Sequence, residues 1–362
     1  MVILLAQRKG NYMKRKDIVN LIRCHKEGDE EGFDRQANLI ADEFYSSGDK
    51  ELANYITSLI SSNFTIVPQE SETKHIGVLE RVGYSKKPLF IPDTLKDNLV
   101  GVVNAVRRGI GINCFLFYGA PGTGKTEAAS QVARLLKRNL WKVNIAQLID
   151  SHLGETSKNI ANLFESISDY RFKSSMVVLF DEIDSLALKR DDSRDLREMA
   201  RATTELFKGL DGLNDEVVVI ATTNMYKSLD RALLRRFHAH IDFDVYTKDD
   251  LVDIGTKLFN TSSKKIEGIE QNPKLVSKIL NSANSLPSPG ELKNIIKMSI
   301  AFSSLENPYD YIKRLFSYIH PDFDLTDVST LFTKYSFSTR EIQLITGISK
   351  SEVARRIKDG QE

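Results

Sequence analysis

Cysteine is scarce in this chain: only Cys24 and Cys114 occur, far apart. That excludes a disulfide framework and any cysteine-based zinc spacing, and it suits a reducing, cytoplasmic setting. Net charge is nearly absent, with 50 Lys and Arg against 49 Asp and Glu and a formal charge of +1. No global field therefore advertises nucleic acid or a membrane surface, and any basic site must be local. No apolar run approaches the ~18 residues of a membrane span, so no membrane partner is expected. Met1–Ala6 is apolar but too short for a signal-peptide core, and no basic segment precedes it. Met13-Lys14-Arg15-Lys16 reads as an alternative start, which would leave the first dozen residues disordered or untranslated. Long repeats and low-complexity tracts are missing as well. What remains is an ordinary globular composition, 41% hydrophobic and 27% charged over 362 residues, enough for two or three domains.

The stretch Gly119-Ala120-Pro121-Gly122-Thr123-Gly124-Lys125-Thr126 fits G-x-x-x-x-G-K-[ST], a loop that joins a strand to a helix and cradles phosphate. Gly119, Gly122 and Gly124 let the backbone take conformations closed to other residues, so successive N–H groups converge on an anion. The following helix adds its positive end. In this reading Lys125 reaches the β- and γ-phosphates and the Thr126 hydroxyl ligates Mg²⁺. The flanks agree. Phe115-Leu116-Phe117-Tyr118 reads as a buried strand, and Glu127 opens a helix that runs to Leu136. The candidate nucleotide-binding set is Gly119, Pro121, Gly122, Thr123, Gly124, Lys125, Thr126 and Glu127.

Residues 14–62 read as a three-helix module with no strand signal. Ile18, Leu21 and Ile22 share one face of the first helix. Phe33, Ala37, Ile40, Ala41 and Phe44 share a face of the second, and Leu52, Ile56 and Leu59 mark the third. Such a unit serves packing and oligomerisation or docks a partner. Residues 63–92 are a linker with Pro68 and a Glu70-Ser71-Glu72 run, and short strands fit between 75 and 92. From 93 to 245 apolar strand-length runs alternate with helical patterns, the mark of an α/β subdomain with a parallel sheet and helices on both faces. Five strands are expected, at 115–118, Val143-Asn144-Ile145, 176–180, 217–222 and about 240–243. Strand signals then stop. Residues 246–305 read as a small all-α lid, and 306–362 as a further helical region.

Met176-Val177-Val178-Leu179-Phe180 ends in Asp181-Glu182, about 55 residues after the phosphate loop. A buried strand of such a sheet delivers its C-terminal residues to the ligand crevice. Asp181 is placed to hold the Mg²⁺ shell, and Glu182 to orient and deprotonate the attacking water. The same acids also fit a solvated strand end. Val217–Thr222 is the next buried strand and leads to Asn224, which suits either a hydrogen bond to a γ-phosphate or a turn start. Arg235-Arg236 follows a short apolar helix. Guanidinium fits phosphate geometry, and surface ion pairing explains it equally.

Together these residues resemble an ATPase of the AAA family within the AAA+ superfamily, over roughly residues 90–305. Thr223-Asn224, Asp230, Ala232, Arg235 and Arg236 lie in the order of that family's second region of homology, and Leu-Arg-Arg-Phe is most similar to the severing and ESCRT-disassembling branch. The resemblance implies ATP and Mg²⁺ as cofactors and a homo-oligomeric ring, usually a hexamer. Arg235 and Arg236 would be fingers that act on a neighbour's ATP, and Asn224 the sensor-1 residue. Lys293 stands where related ATPases place a sensor-2 arginine. His152-Leu153-Gly154 falls at pore loop 1, with histidine in place of the usual aromatic, and Arg190 to Leu196 falls at pore loop 2. The three-helix module is similar to the small microtubule-interacting-and-trafficking domains of that branch.

The C-terminal stretch 337–358 reads as a helix-turn-helix. Ser338 and Glu341 form a capping box, Gly347 makes the turn, and Ser349 caps the second helix. Ile342, Ile345, Val353 and Ile357 face inward, and Lys350, Ser351, Arg355, Arg356 and Lys358 face outward. It resembles the helix-turn-helix of bacterial regulators and transposases, which implies DNA as a partner through Lys350, Arg355 and Arg356. Protein docking fits the same face. Three readings stand on the sequence: a ring that remodels or translocates a protein partner, a DNA-associated ATPase of transposition-helper or defence type, and a regulatory subunit of a separate effector such as a peptidase.

Overall fold

The computed structural model describes residues 15–27, 29–47, 49–60, 75–76, 78–84, 88–149, 155–187, 195–264 and 266–359. The chain divides into two compact units, Met1–Lys74 and His75–Glu362.

In the first unit, α1 (Arg15–Glu27), α2 (Glu30–Ser46) and α3 (Lys50–Ile60) follow one another. Asp29 caps α2 by accepting from the Gly32 N–H at 2.9 Å, and Gln36 on α2 donates to Asp17 on α1 at 3.1 Å. Ala37, Ile40, Ala41 and Ala53 are buried. The expected inner face of α1 is not: Ile18 and Ile22 are exposed, with Val19 between them. So small a unit has too little of itself to cover every apolar side chain.

The second unit begins with β1 (His75–Ile76) and β2 (Leu79–Val82). There follow α4 (Asp93–Arg108), β3 (Cys114–Tyr118), α5 (Lys125–Leu136), β4 (Asn139–Val143), α6 (Ile145–Leu148) and α7 (Glu155–Asp169). Next come β5 (Met176–Phe180), α8 (Asp184–Ala187), α9 (Asp195–Asp211), β6 (Val218–Thr223), α10 (Arg231–Leu234) and β7 (Ala239–Asp242). The sheet order is β1-β2-β4-β5-β6-β3-β7. The five strands from β4 to β7 pair in parallel, as expected. β2 joins β4 antiparallel and β1 joins β2, so the sheet has seven strands rather than five.

The central strands β3 and β5 are apolar on both faces, as is β6 up to its terminal threonines, because helices cover both. Cys114, Leu116, Met176, Val178, Phe180, Val219 and Ala221 pack toward α7 and α9, while the residues between them, Phe115, Phe117, Val177, Leu179, Val218 and Ile220, pack toward α4 and α5. The expected strand at Val143-Asn144-Ile145 is a correction. The strand is Asn139–Val143, with Leu140, Trp141 and Val143 buried, and Ile145 starts a helical turn. Asn144 causes the break: its side-chain oxygen accepts from the Gln147 N–H at 3.3 Å, as an N-cap does.

The remaining chain is helical: α11 (Lys248–Ser263), α12 (Pro273–Ser282), α13 (Pro289–Ala301), α14 (Asp310–Ile319), α15 (Val328–Thr333), α16 (Thr339–Thr346) and α17 (Lys350–Asp359). Residues 246–305 and 306–362 do not pack separately. Phe259, Ile279, Leu292, Tyr311, Phe316, Leu331, Phe337, Ile345 and Val353 lie in one hydrophobic cluster, and Lys278 on α12 pairs with Glu341 on α16 at 2.7 Å.

Candidate nucleotide site

The site lies where β3, β5 and β6 end. Gly119, Gly122 and Gly124 all have positive φ, at 144°, 78° and 95°. The crowding is as strict as the dihedrals. A Cβ on Gly119 would come within 2.9 Å of the Asp244 carboxylate, and one on Gly122 within 2.7 Å of the Ser288 hydroxyl. Gly124 caps α5, so the Lys125 and Thr126 amides stand at the open end of that helix.

The Lys125 ammonium is folded onto its own loop, donating to the Gly119 carbonyl at 2.8 Å and the Ala120 carbonyl at 2.7 Å. Burial pushes its pKa down from the ordinary value, while Asp244, Asp181, Asp184 and Glu182 pull the other way. Asp244 also takes the Ala120 N–H at 2.7 Å, and the Tyr246 hydroxyl donates to the Thr123 carbonyl at 2.7 Å. Thr123 is buried, and Pro121 and Glu127 are exposed.

Asp181 gathers three donors. The Thr126 hydroxyl reaches Oδ1 at 2.8 Å, the Thr222 hydroxyl reaches the same oxygen at 2.7 Å, and the Lys142 ammonium reaches Oδ2 at 2.7 Å. Burial alone would raise the carboxyl's pKa, but these hydrogen bonds outweigh it and hold it below the ordinary range. Glu182 comes next, at φ 58°, a left-handed conformation that costs a non-glycine residue about 1–3 kcal/mol. Its N–H donates to the Thr222 hydroxyl at 2.9 Å, and the Ile183 N–H donates to the Thr222 carbonyl at 2.9 Å. The end of β6 thus pins the turn that holds Glu182 exposed beside Asp181.

Asn224 is exposed one residue beyond β6. It lines a cavity of about 520 Å³ with Tyr118, Gly119, Ala120, Pro121, Tyr226, Lys227 and Asp244. The two arginines part company. Arg235 is exposed, and its side chain has no ion-pair or hydrogen-bond partner among the described residues. Arg236 is tied down within its own chain: it pairs with Asp211 at 2.9 Å and stacks 4.1 Å above the Phe207 ring. Lys293 is half-buried, one turn into α13. That helix touches the phosphate loop at its start, where the Gly290 N–H donates to the Gly122 carbonyl at 2.8 Å.

His152-Leu153-Gly154 and residues 190–194 lie outside the described residues. On α17, Lys350, Ser351, Arg355, Arg356 and Lys358 are exposed, but Glu352 accepts from both Arg355 and Arg356 at 2.9 Å. The turn before α17 is built as expected, with the Ser338–Glu341 capping box and Gly347 at φ 80°.

Sequence reasoning missed Lys142, Thr222, Asp244 and the Ser288–Gly290 segment. Each reaches the site from another strand or subdomain. The one local hint was Lys142, a cation between the buried Trp141 and Val143.

A mostly parallel α/β sheet with a phosphate-loop sequence, strand-end acids and a following helical segment is the arrangement of P-loop nucleotide-binding domains. Residues 115–245 match the family model for the ATPase family associated with various cellular activities, AAA. Over these residues the chain is similar to AAA ATPases. It is 38% identical over 154 residues to an uncharacterized AAA family ATPase of Sinorhizobium fredii, covering 40% of this chain and 46% of that protein. It is 36% identical over 151 residues to 26S protease regulatory subunit 6A of Caenorhabditis elegans, covering 41% and 33%. It is 34% identical over 160 residues to the peroxisomal ATPase PEX6 of Komagataella pastoris, covering 40% and 13%. The matches therefore span less than half the length of each relative. A chain of the HORMA:CdnC:Trip13 complex of E. coli shares the fold, with a TM-score of 0.54 at 17% identity over 69% of this chain and 97% of that one. Among the described residues no helix is long and apolar enough to cross a membrane.

Proposed function

We propose that this chain is a ring-forming ATPase that hydrolyses ATP, with Mg²⁺, to ADP and phosphate in order to remodel or translocate a protein partner. One observation carries the reading: Thr126, Asp181 and Thr222 meet around one carboxylate while a strained turn presents Glu182 beside it. The oxygen atoms of Thr126 and Asp181, 2.8 Å apart, suit a hard dication, and the Lys142 ammonium on Asp181 supports a place for positive charge there. Thr126 and Asp181 would hold Mg²⁺, which when bound supplies positive charge to the phosphate oxygens.

In this mechanism Lys125 exchanges the loop carbonyls for the β- and γ-phosphates, and the loop amides complete the cradle. Glu182 orients a water in line with the γ-phosphorus and takes its proton as the P–O bond to ADP breaks. Asn224, from the next strand, hydrogen-bonds the γ-phosphate or that water. Lys293 lies on the helix docked against the loop and serves as a lesser phosphate contact. Arg235, whose side chain has no partner among the described residues, is the finger offered to a neighbouring subunit, a role worth roughly 10³–10⁵ in turnover in related chemistry. Arg236, held by Asp211 and Phe207, sets the base from which Arg235 projects. Similarity to a subunit named for regulating a protease supports a protein partner, and with it the narrower role of regulating a separate effector.

Glu182→Gln should bind ATP yet turn over poorly. Arg235→Ala should lose turnover and regain part of it when mixed with Lys125→Ala, because finger and phosphate loop come from different subunits. Wild-type turnover in Glu182→Gln would refute the assigned base.

A second reading, that of a DNA-associated ATPase, draws on α16, the left-handed turn at Gly347 and α17, on which Lys350, Arg355, Arg356 and Lys358 are exposed. It requires DNA phosphate to win Arg355 and Arg356 from Glu352. Salt-sensitive binding to duplex DNA, lost in the Arg355→Ala/Arg356→Ala double variant, tests it.

A further inference from the structure

The end of β6 carries more than Asn224. Two residues on, Tyr226 opens a short turn, and its ring stacks on Tyr118 with centroids 4.0 Å apart and planes 22° apart. Tyr118 is the last residue of β3 and leads directly into Gly119. The Tyr226 hydroxyl lies 2.9 Å from His240 Nδ1 on β7, and His240 Nε2 lies 3.0 Å from the Leu234 carbonyl. A carbonyl only accepts, so Nε2 carries a hydrogen, and in the neutral ring Nδ1 accepts from the tyrosine. The Leu234 carbonyl belongs to the planar peptide that includes the Arg235 nitrogen, so holding that oxygen sets the plane from which Arg235 springs. All three side chains of this path are half-buried, and none has a part in the mechanism above.

We propose that Tyr226 and His240 are positioning residues that couple the phosphate-sensing loop at Asn224 to the peptide presenting Arg235, so that the state of one nucleotide site sets the finger offered to the next. The inference rests on the in-trans role given to Arg235 above. The path is short and continuous. A shift of the Asn224 loop moves Tyr226 against Tyr118, the tyrosine carries His240, and His240 carries the end of α10. Arg236 does not share this freedom, because Asp211 and Phe207 hold it.

Three variants separate the links. Tyr226→Phe keeps the ring stack and removes the hydroxyl. His240→Asn can keep a donor or acceptor near the Nδ1 position and loses the Leu234 bond, and His240→Gln does the reverse. Turnover, binding of a fluorescent ATP analogue and thermal midpoint would be measured for each, alone and mixed with Lys125→Ala. Each variant alone should turn over roughly five- to tenfold more slowly, the scale of one neutral hydrogen bond, with unchanged analogue affinity. Adding Lys125→Ala, whose phosphate loop is dead but whose finger is intact, should restore turnover as it does for Arg235→Ala. A role confined to packing or to the variant's own nucleotide site would not be complemented. Unchanged turnover in Tyr226→Phe and both His240 variants overturns the proposal. So does a loss that Lys125→Ala leaves uncorrected at ratios where Arg235→Ala recovers. If Arg235→Ala itself fails to recover at every ratio, the in-trans reading fails and the coupling falls with it.

Discussion

Gly290→Ala is an informative single substitution in this protein because two effects of opposite sign meet there. Gly290 is the second residue of α13, with ordinary helical backbone. In an exposed helix, glycine to alanine stabilises by up to about 1 kcal/mol. Here the new Cβ would stand 2.9 Å from the Gly122 carbonyl oxygen and 3.0 Å from the Gly122 Cα. Both are backbone atoms of the phosphate loop, so neither can swing aside as a long side chain would. Overpacking of this kind costs about 1–3 kcal/mol. Relief requires the helix to back away, which also loses the 2.8 Å bond from the Gly290 N–H to the Gly122 carbonyl, worth roughly 1 kcal/mol. The sum favours destabilisation by about 1–3 kcal/mol, or a fall of roughly 2–6 °C in thermal midpoint for a unit of this size. Since the helix backs off the loop that binds phosphate, nucleotide affinity should fall about tenfold for each 1.4 kcal/mol of docking lost. Differential scanning calorimetry and titration with a fluorescent ATP analogue provide the two readings. A raised midpoint would mean that helix propensity alone governs the position and that the lid does not press on the loop.

Two further outcomes are expected. Cys114 is buried in the sheet, and burial raises its thiol pKa to about 12, so native protein at pH 8 should be alkylated at half-buried Cys24 alone. Labelling of Cys114 before unfolding, read by mass spectrometry, would contradict the packing of β3. His320 sits among Phe316, Phe323 and Tyr335 with Ser282 at 2.8 Å, and burial, helped by Lys334, lowers its pKa. A base whose folded pKa is depressed loses stability as pH falls below its unfolded value of about 6.5, because the unfolded chain takes up the proton first. Denaturant unfolding at pH 7.5 and 5.5 should therefore show a decline that is smaller in His320→Gln; equal declines would place the proton uptake elsewhere.

Much of the candidate site was legible because its chemistry is contiguous. The phosphate loop is eight consecutive residues, and Asp181-Glu182 directly follow a run of five apolar ones, so each could be read without knowing its neighbours. The capping box at Ser338 and Glu341 and the left-handed turn at Gly347 were legible for the same reason. The errors came where local and tertiary signals compete. Val143 and Ile145 look like strand residues, but the Asn144 cap turns the chain into a helix between them. Ile18 and Ile22 have helical spacing, but periodicity does not say whether a partner surface exists to cover them.

The sequence by itself determined the class of chemistry, the element types and the alternation of strands and helices, because glycine dihedrals, capping and apolar periodicity act over a few residues. Only the tertiary structure decided which groups share the site. It alone placed Lys142 from β4 and Thr222 from β6 on Asp181, brought Gly290 of α13 onto Gly122, and tied Arg236 to Asp211 while leaving the Arg235 side chain without a partner among the described residues. It alone merged the lid with the C-terminal helices into one core. The reason is physical: strand order and helix docking depend on which complete apolar faces cover one another, and that is a property of the assembled chain rather than of any stretch within it.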